Sequence, residues 1–178
     1  MYFKIFVYVI LLLLLRSNTA TACSCSKGAR LVKYEVKRST LVLVGKVVSV
    51  EGVAVEMGDS VTIFKDGSKP YFQKITFQVS RLFKGKKKGE RVVVYTGLSK
   101  GDCGFSFVVG KRYILYGTKS ASPFWRNGKT PPKMFENAYW TDICTRTQRF
   151  NSVEMAELKK VRRMQNLEKK NSLLKASS

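Results

Sequence analysis

Two cysteines separated by one serine, Cys23-Ser24-Cys25, follow directly behind an apolar leader. This feature constrains the fold of the chain more than any other. Lys4 gives the leader a basic start, Phe6 to Leu15 is an unbroken apolar or aromatic run, and Ala20-Thr21-Ala22 is a small-x-small cleavage pattern. That architecture reads as a secretory signal peptide over residues 1–22, cut before Cys23. The apolar run is shorter than the about 20 residues that span a bilayer, and Arg16 ends it. A lipoprotein box is disfavoured because Ala20 stands where such boxes prefer leucine. Cleavage would place the α-amine, carbonyl and side chain of Cys23 together at a chain end, with Cys25 available to fasten that end to the body.

Removing residues 1–22 leaves 156 of the 178 residues, enough to bury one core. It takes away Lys4 and Arg16 and leaves +19 of the +21 net charge. Such a charge predicts association with polyanions, weakened by salt. For a secreted protein the expected partner is a sulfated glycosaminoglycan of the heparin type rather than nucleic acid. The localisation expected is the extracellular space or matrix, and the expected state is a monomer with no membrane span.

Cys23, Cys25, Cys103 and Cys144 are the four cysteines. An even number in a secreted chain implies two disulfides. A Cys23–Cys25 bond would close a very tight ring. Two pairings remain, and both fasten the N-terminal tip to Cys103 and Cys144. Loops of roughly 80 and 120 residues closed in this way stabilise by several kcal/mol. A zinc site of the chain's own is not expected, because C-x-C lacks the C-x-x-C spacing. The chain has no histidine, which removes Ser-His, Cys-His and H-E-x-x-H chemistry. Its 12 acids form no evident motif, and no glycine-rich phosphate loop is present. The chain reads as a non-enzyme without a cofactor of its own.

Ala29 to Arg38 is a short helix candidate, and Leu41 to Val50 a strand bent at Gly45. Gly52 to Pro70 is rich in turn signals, with Val61 to Phe64 as a hairpin arm. Further strands are expected over Tyr71 to Phe83, Arg91 to Thr96, Lys111 to Thr118 and Asn137 to Ile143. Lys84 to Gly89 is a turn, and Pro123 to Lys133 a loop. Asn151 opens a helix with Glu154 as capping-box partner. Met155, Leu158, Val161 and Met164 form its apolar face, and a basic, fraying tail covers residues 166–178. This set fits a mainly β fold: a closed, five-stranded, OB-fold-like Greek-key barrel over residues 23–165, with flanking helices that include a C-terminal one. A β-sandwich is the alternative.

Several segments then carry a resemblance. The mature C-x-C start is followed by Val42-Leu43-Val44-Gly45-Lys46-Val47 and Phe77-Gln78-Val79-Ser80-Arg81-Leu82-Phe83-Lys84-Gly85. Next come Cys103-Gly104-Phe105, Val109-Gly110-Lys111-Arg112-Tyr113-Ile114-Leu115-Tyr116 and Cys144-Thr145-Arg146-Thr147. In this order they resemble the netrin-like superfamily, and the inhibitory domain of the tissue inhibitors of metalloproteinases in particular. The resemblance covers about Cys23 to Val161, without that family's second domain or third disulfide.

The resemblance implies a netrin-like barrel with Cys23–Cys103 and Cys25–Cys144 disulfides. It also implies a secreted inhibitor of an extracellular zinc metalloproteinase. The amine and carbonyl of Cys23 would chelate the zinc of the target, displacing its water. An α-amine of pKa about 7.7–8.0 offers a neutral fraction for this. Ser24 would enter the pocket beside the metal, and Cys25, Ser26, Lys100, Gly101 and Asp102 would share the contact. The other reading is a non-inhibitory basic module that holds glycosaminoglycan through Lys84, Lys86, Lys87, Lys88 and Arg91. Arg162, Arg163, Lys169 and Lys170 provide further charge on the C-terminal helix.

Overall fold

The longest apolar β-branched run of the mature chain becomes the central strand. In the computed structural model this is β1 (Leu41–Val53). The structure describes Cys25 and residues 31–53, 72–86, 89–98, 100–119, 135 and 138–176. The leader over residues 1–22, Cys23, Ser24, Ser26, the arm at Val61 to Phe64, Lys87, Lys88 and the Pro123 to Lys133 loop lie outside the described residues.

β1 is flanked by β2 (Phe72–Lys84) on one side and β4 (Arg112–Gly117) on the other, both antiparallel to it. β3 (Arg91–Gly97) pairs antiparallel with β2. β5 (Tyr139–Trp140) adds in parallel to β3, and β6 (Gln148–Arg149) adds antiparallel to β4. The sheet order is β5-β3-β2-β1-β4-β6. Residues Leu41 to Gly45 are buried without alternation because both faces of the sheet are covered at that point. Gly45 sits at a register shift against β2, and a Cβ there would come within 2.8 Å of the Gln78 carbonyl oxygen. The glycine, read from the sequence as a bend, is a condition of close strand approach.

One face of the sheet carries Leu41, Leu43, Val47, Ile75, Phe77, Val92, Val94, Tyr113 and Leu115, with Phe107 packed among them. The opposite face carries Val42, Val44, Ile114 and Tyr116 beneath two helices. These are α1 (Val32–Arg38) and α2 (Ser152–Ala176). The apolar stripe Met155, Leu158, Val161 and Met164 does pack there, as its helical spacing predicted. α2 continues to Ala176 through residues expected to fray. A third cluster of Val53, Tyr95, Phe135 and Trp140, with Phe72 against it, fills the far end of the sheet.

The expected closed five-stranded Greek-key barrel is corrected. The six strands are of mixed direction and form an open half-barrel that turns through 195° and leaves its edges 14 Å apart. The physical reason lies at the edges. β5 and β6 contain two residues each, and among the described residues an isolated bridge, Thr118 to Trp140, links β5 toward β4. Beyond β6, threonine hydroxyls replace strand partners. Thr147 Oγ1 accepts the Tyr116 N–H at 3.0 Å, while Thr141 and Thr147 hydroxyls donate to the Tyr116 carbonyl at 3.1 and 3.2 Å. With its backbone groups satisfied by side chains, this edge needs no further strand. The expected strand over Asn137 to Ile143 shrinks to β5, because Thr141 to Thr147 turns to make these contacts.

Candidate functional site

Of the segments expected near the wedge, the described ones that carry Cys25, Cys103 and Cys144 meet at one end of the sheet. Cys25 is disulfide-bonded to Cys144 across 119 residues. Cys103 is disulfide-bonded as well. Its carbonyl accepts the Ile143 N–H at 3.0 Å, so the Cys103 and Cys144 segments lie side by side. Asp142 shapes the turn that presents Cys144. Its Oδ1 accepts the Cys144 N–H at 2.9 Å, and its carbonyl accepts the Thr145 hydroxyl at 2.8 Å.

Lys100–Asp102 is a short 3-10 helix leading into Cys103, whose φ of 64° lies in the left-handed region. Asp102 was expected to share the contact with a protease. Its carboxylate holds the connection together, with Oδ2 accepting the Leu98 N–H at 2.7 Å and Oδ1 the Gly104 N–H at 3.2 Å. Gly97 lets it approach, since a Cβ at that position would lie 2.6 Å from Asp102 Oδ1.

Behind this end sits a polar network that sequence reasoning missed. Glu154 is buried, accepts a hydrogen bond from the Tyr116 hydroxyl at 2.6 Å, and forms an ion pair with Arg146. Burial pushes the Glu154 carboxyl up, but hydrogen bonds from Arg146 and Tyr116 and the charge of Arg146 outweigh it, so the net shift is downward. The Tyr116 hydroxyl is pushed well up by burial and then by Glu154. The capping box is thus half realised. Asn151 Oδ1 accepts the Glu154 N–H at 2.8 Å, while the carboxylate faces inward to Arg146. The signal was present as an arginine two residues past Cys144 and an acid in a helix's first turn, but only the fold brings them together.

Two described cations of the basic turn, Lys84 and Arg91, stand apart in the structure. Lys84 Nζ donates to the Val36 and Lys37 carbonyls at 2.8 and 2.9 Å, and so caps the C-terminal end of α1. Burial lowers the pKa of Lys84. Lys86 is exposed on the turn itself. Arg91 lies in register with Gln78, and Gln78 with Lys46, whereas Lys84 pairs with Val42 four residues away along β1. Lys84 and Arg91 therefore do not form one patch. On α2, Arg162 donates to the Leu82 carbonyl at 3.2 Å and covers the Phe83 ring, while Arg163, Lys169 and Lys170 are exposed.

The sequence matches no protein-family model and no curated protein. The expected assignment to the tissue inhibitors of metalloproteinases and the netrin-like superfamily is therefore corrected: the open, mixed sheet is not that family's closed barrel. The zinc-chelating inhibitor reading falls with it, because it needed the wedge to ride on such a barrel. Among the described residues there is also no group of three or more His, Cys, Asp or Glu side chains that could hold a metal. The netrin-like form of the glycosaminoglycan reading is corrected on the same ground. The disulfide bonding stands. No described helix is long and apolar enough to cross a membrane.

Proposed function

We propose that this protein is an extracellular, disulfide-stapled binding module that holds a sulfated glycosaminoglycan of the heparin type on its positive surface, without catalysis and without a cofactor of its own. One observation carries the reading: the fold engages most of its described acids in contacts of its own, some buried and some at the surface, and leaves most of its described cations open to solvent. Glu154 pairs with Arg146, Glu51 with Lys74, and buried Glu35 lies 3.9 Å from Arg38. Asp102 and Asp142 bind backbone amides, and Glu90 accepts from Gln78. Among the described acids, Glu157 and Glu168 on exposed α2 are what remains. Facing solvent are Lys33, Lys37, Lys46, Arg81, Lys86, Arg91, Lys111, Arg112, Arg149, Lys159, Lys160, Arg163, Lys169 and Lys170. The +19 that remains without residues 1–22 is carried, among the described residues, mainly on the surface, where it attracts a polyanion over about a Debye length.

The leader-like residues 1–22 and the Cys25–Cys144 bond support an extracellular setting, since structural disulfides persist in oxidising compartments. Heparin chromatography tests the reading. The protein is expected to be retained at about 0.15 M salt and released as screening shortens toward the about 3 Å range of 1 M salt. Passage through the column at the lower salt would defeat it.

A further inference from the structure

One face of the sheet contains two charged cross-strand arrangements with opposite logic. Glu51 on β1 pairs in register with Lys74 on β2, and their side chains meet at 3.0 Å. Hydrogen bonds from Lys74 and Ser49 hold the Glu51 carboxyl below its ordinary value. Further along the same strand, Lys46 on β1 pairs in register with Arg112 on β4. Lys46 alternates with Val42 and Val44, and Arg112 with Ile114 and Tyr116, so both cations project on the face that carries the helices. Both are exposed. Like charges directly opposite one another across a strand pair destabilise a sheet.

The row continues on both sides of that pair. Lys46 also pairs with Gln78 on β2, and Gln78 with Arg91 on β3. Arg112, Lys46, Gln78 and Arg91 thus occupy one line across four adjacent strands, β4-β1-β2-β3. Three strand spacings make this line on the order of 14 Å long. Among the described acids Glu90 borders it, and the Gln78 amide engages Glu90 at 2.9 Å. The Arg112 guanidinium is stacked 4.3 Å from the centroid of the Phe150 ring, which fixes its plane before any ligand arrives. The neighbouring exposed apolar side chains are Val48 and Val93.

We propose that the row Arg112–Lys46–Gln78–Arg91 is the principal contact of the module with a sulfated polysaccharide, whose sulfates lie across the strands and neutralise the Lys46–Arg112 repulsion. This inference rests on the polyanion reading above and moves its centre from the Lys84 to Arg91 turn to the sheet. Charge complementarity selects an anionic polymer. The fixed guanidinium suits the forked geometry of an oxyanion. The Phe150 ring at the end of the row is half-buried and covered by Arg112, and the exposed apolar side chains on the flanking strands are valines, so bases of a single-stranded nucleic acid find no open stacking platform there.

The test uses the full disulfide-bonded chain and a size-defined heparin oligosaccharide at about 0.15 M salt, where screening is partial. Lys46→Glu should recreate the Glu51–Lys74 arrangement opposite Arg112. Its affinity is expected to fall at least about tenfold while its melting temperature holds or rises. Lys169→Glu, which changes the charge equally on α2, should lose less than about threefold by the general field alone. Arg112→Lys should weaken binding while keeping the charge, since the ammonium lacks the fork. Equal losses for Lys46→Glu and Lys169→Glu in a protein that still binds would overturn the site and leave the polyanion reading intact. Absence of binding by the unmodified protein would overturn both. Binding of a single-stranded oligonucleotide as tight as that of heparin of matched charge would overturn the choice of partner.

Discussion

The disulfide-bearing end of the molecule and the exposed middle of the sheet treat charge in opposite ways. At the first, Arg146 meets buried Glu154 and Tyr116, Asp142 binds the Cys144 amide, and Asp102 ties its own loop. At the second, Lys46 faces Arg112 across a strand pair, and both are open to water. The difference follows from solvent. Inside, an uncompensated charge costs several kcal/mol, so acids and bases are brought together. Outside, water screens repulsion to a fraction of a kcal/mol, so a like-charge pair persists and stays available to a ligand. The inner end therefore serves stability, and the outer row is the surface proposed to serve binding.

The largest effect expected from disturbing this division is at the staple. Replacing Cys25 and Cys144 together by alanine opens a loop of 119 residues. The chain-entropy relation puts the cost at about 5 kcal/mol. Guanidinium unfolding of the two forms measures it, and a loss below about 1 kcal/mol would show that the pinned end contributes little to stability.

Next is Glu154→Gln, which leaves Arg146 and the Tyr116 hydroxyl facing a neutral amide. A loss of about 2–3 kcal/mol is expected at neutral pH. The folded carboxyl titrates below its unfolded value of about 4.3, so its stabilisation is fully present above that pH and fades as pH falls through the folded value. Unfolding midpoints measured from pH 6 down to pH 2 should converge for the two proteins at the acid end. Heparin affinity at pH 7 should not decrease; a fall would mean that the two regions are not separate.

Lys84→Met removes the ammonium that caps the α1 carbonyls and should cost about 1 kcal/mol. Its heparin elution should shift no more than that of Lys169→Gln. A larger shift would return Lys84 to the binding surface. The smallest expected effect is that of Lys46→Gln on stability: within about 0.5 kcal/mol, and toward stabilisation, since a repulsion is relieved. Thermal denaturation in low salt resolves its sign.

Parts of this arrangement were legible in the chain. The runs Leu41 to Val50, Tyr71 to Phe83, Arg91 to Thr96 and Lys111 to Thr118 became the four main strands, because β-branched and aromatic residues at strand spacing bury well on a pleated surface. The apolar stripe of α2 was legible for the same kind of reason. Gln148–Arg149 was not, since two residues carry no periodicity. The loop-tying role of Asp102 was not legible, because nothing in a sequence shows that an acid accepts its own loop's amides. The turn lysines were read as one patch because they are neighbours in sequence, whereas β2 extends past β3 and separates Lys84 from Arg91.

The sequence alone determined the local quantities: where the four main strands and the two helices lie, that the chain is basic, and that Cys25, Cys103 and Cys144 would bond. These follow from side-chain chemistry within a few residues. The tertiary structure alone decided that the sheet stays open, because that depends on distant threonine hydroxyls reaching the Tyr116 backbone. It alone decided which acids are neutralised and which cations stand opposite one another. Coulomb interactions depend on separation in space, and the register of β1 with β4 sets the separation of Lys46 and Arg112 across 66 positions of chain.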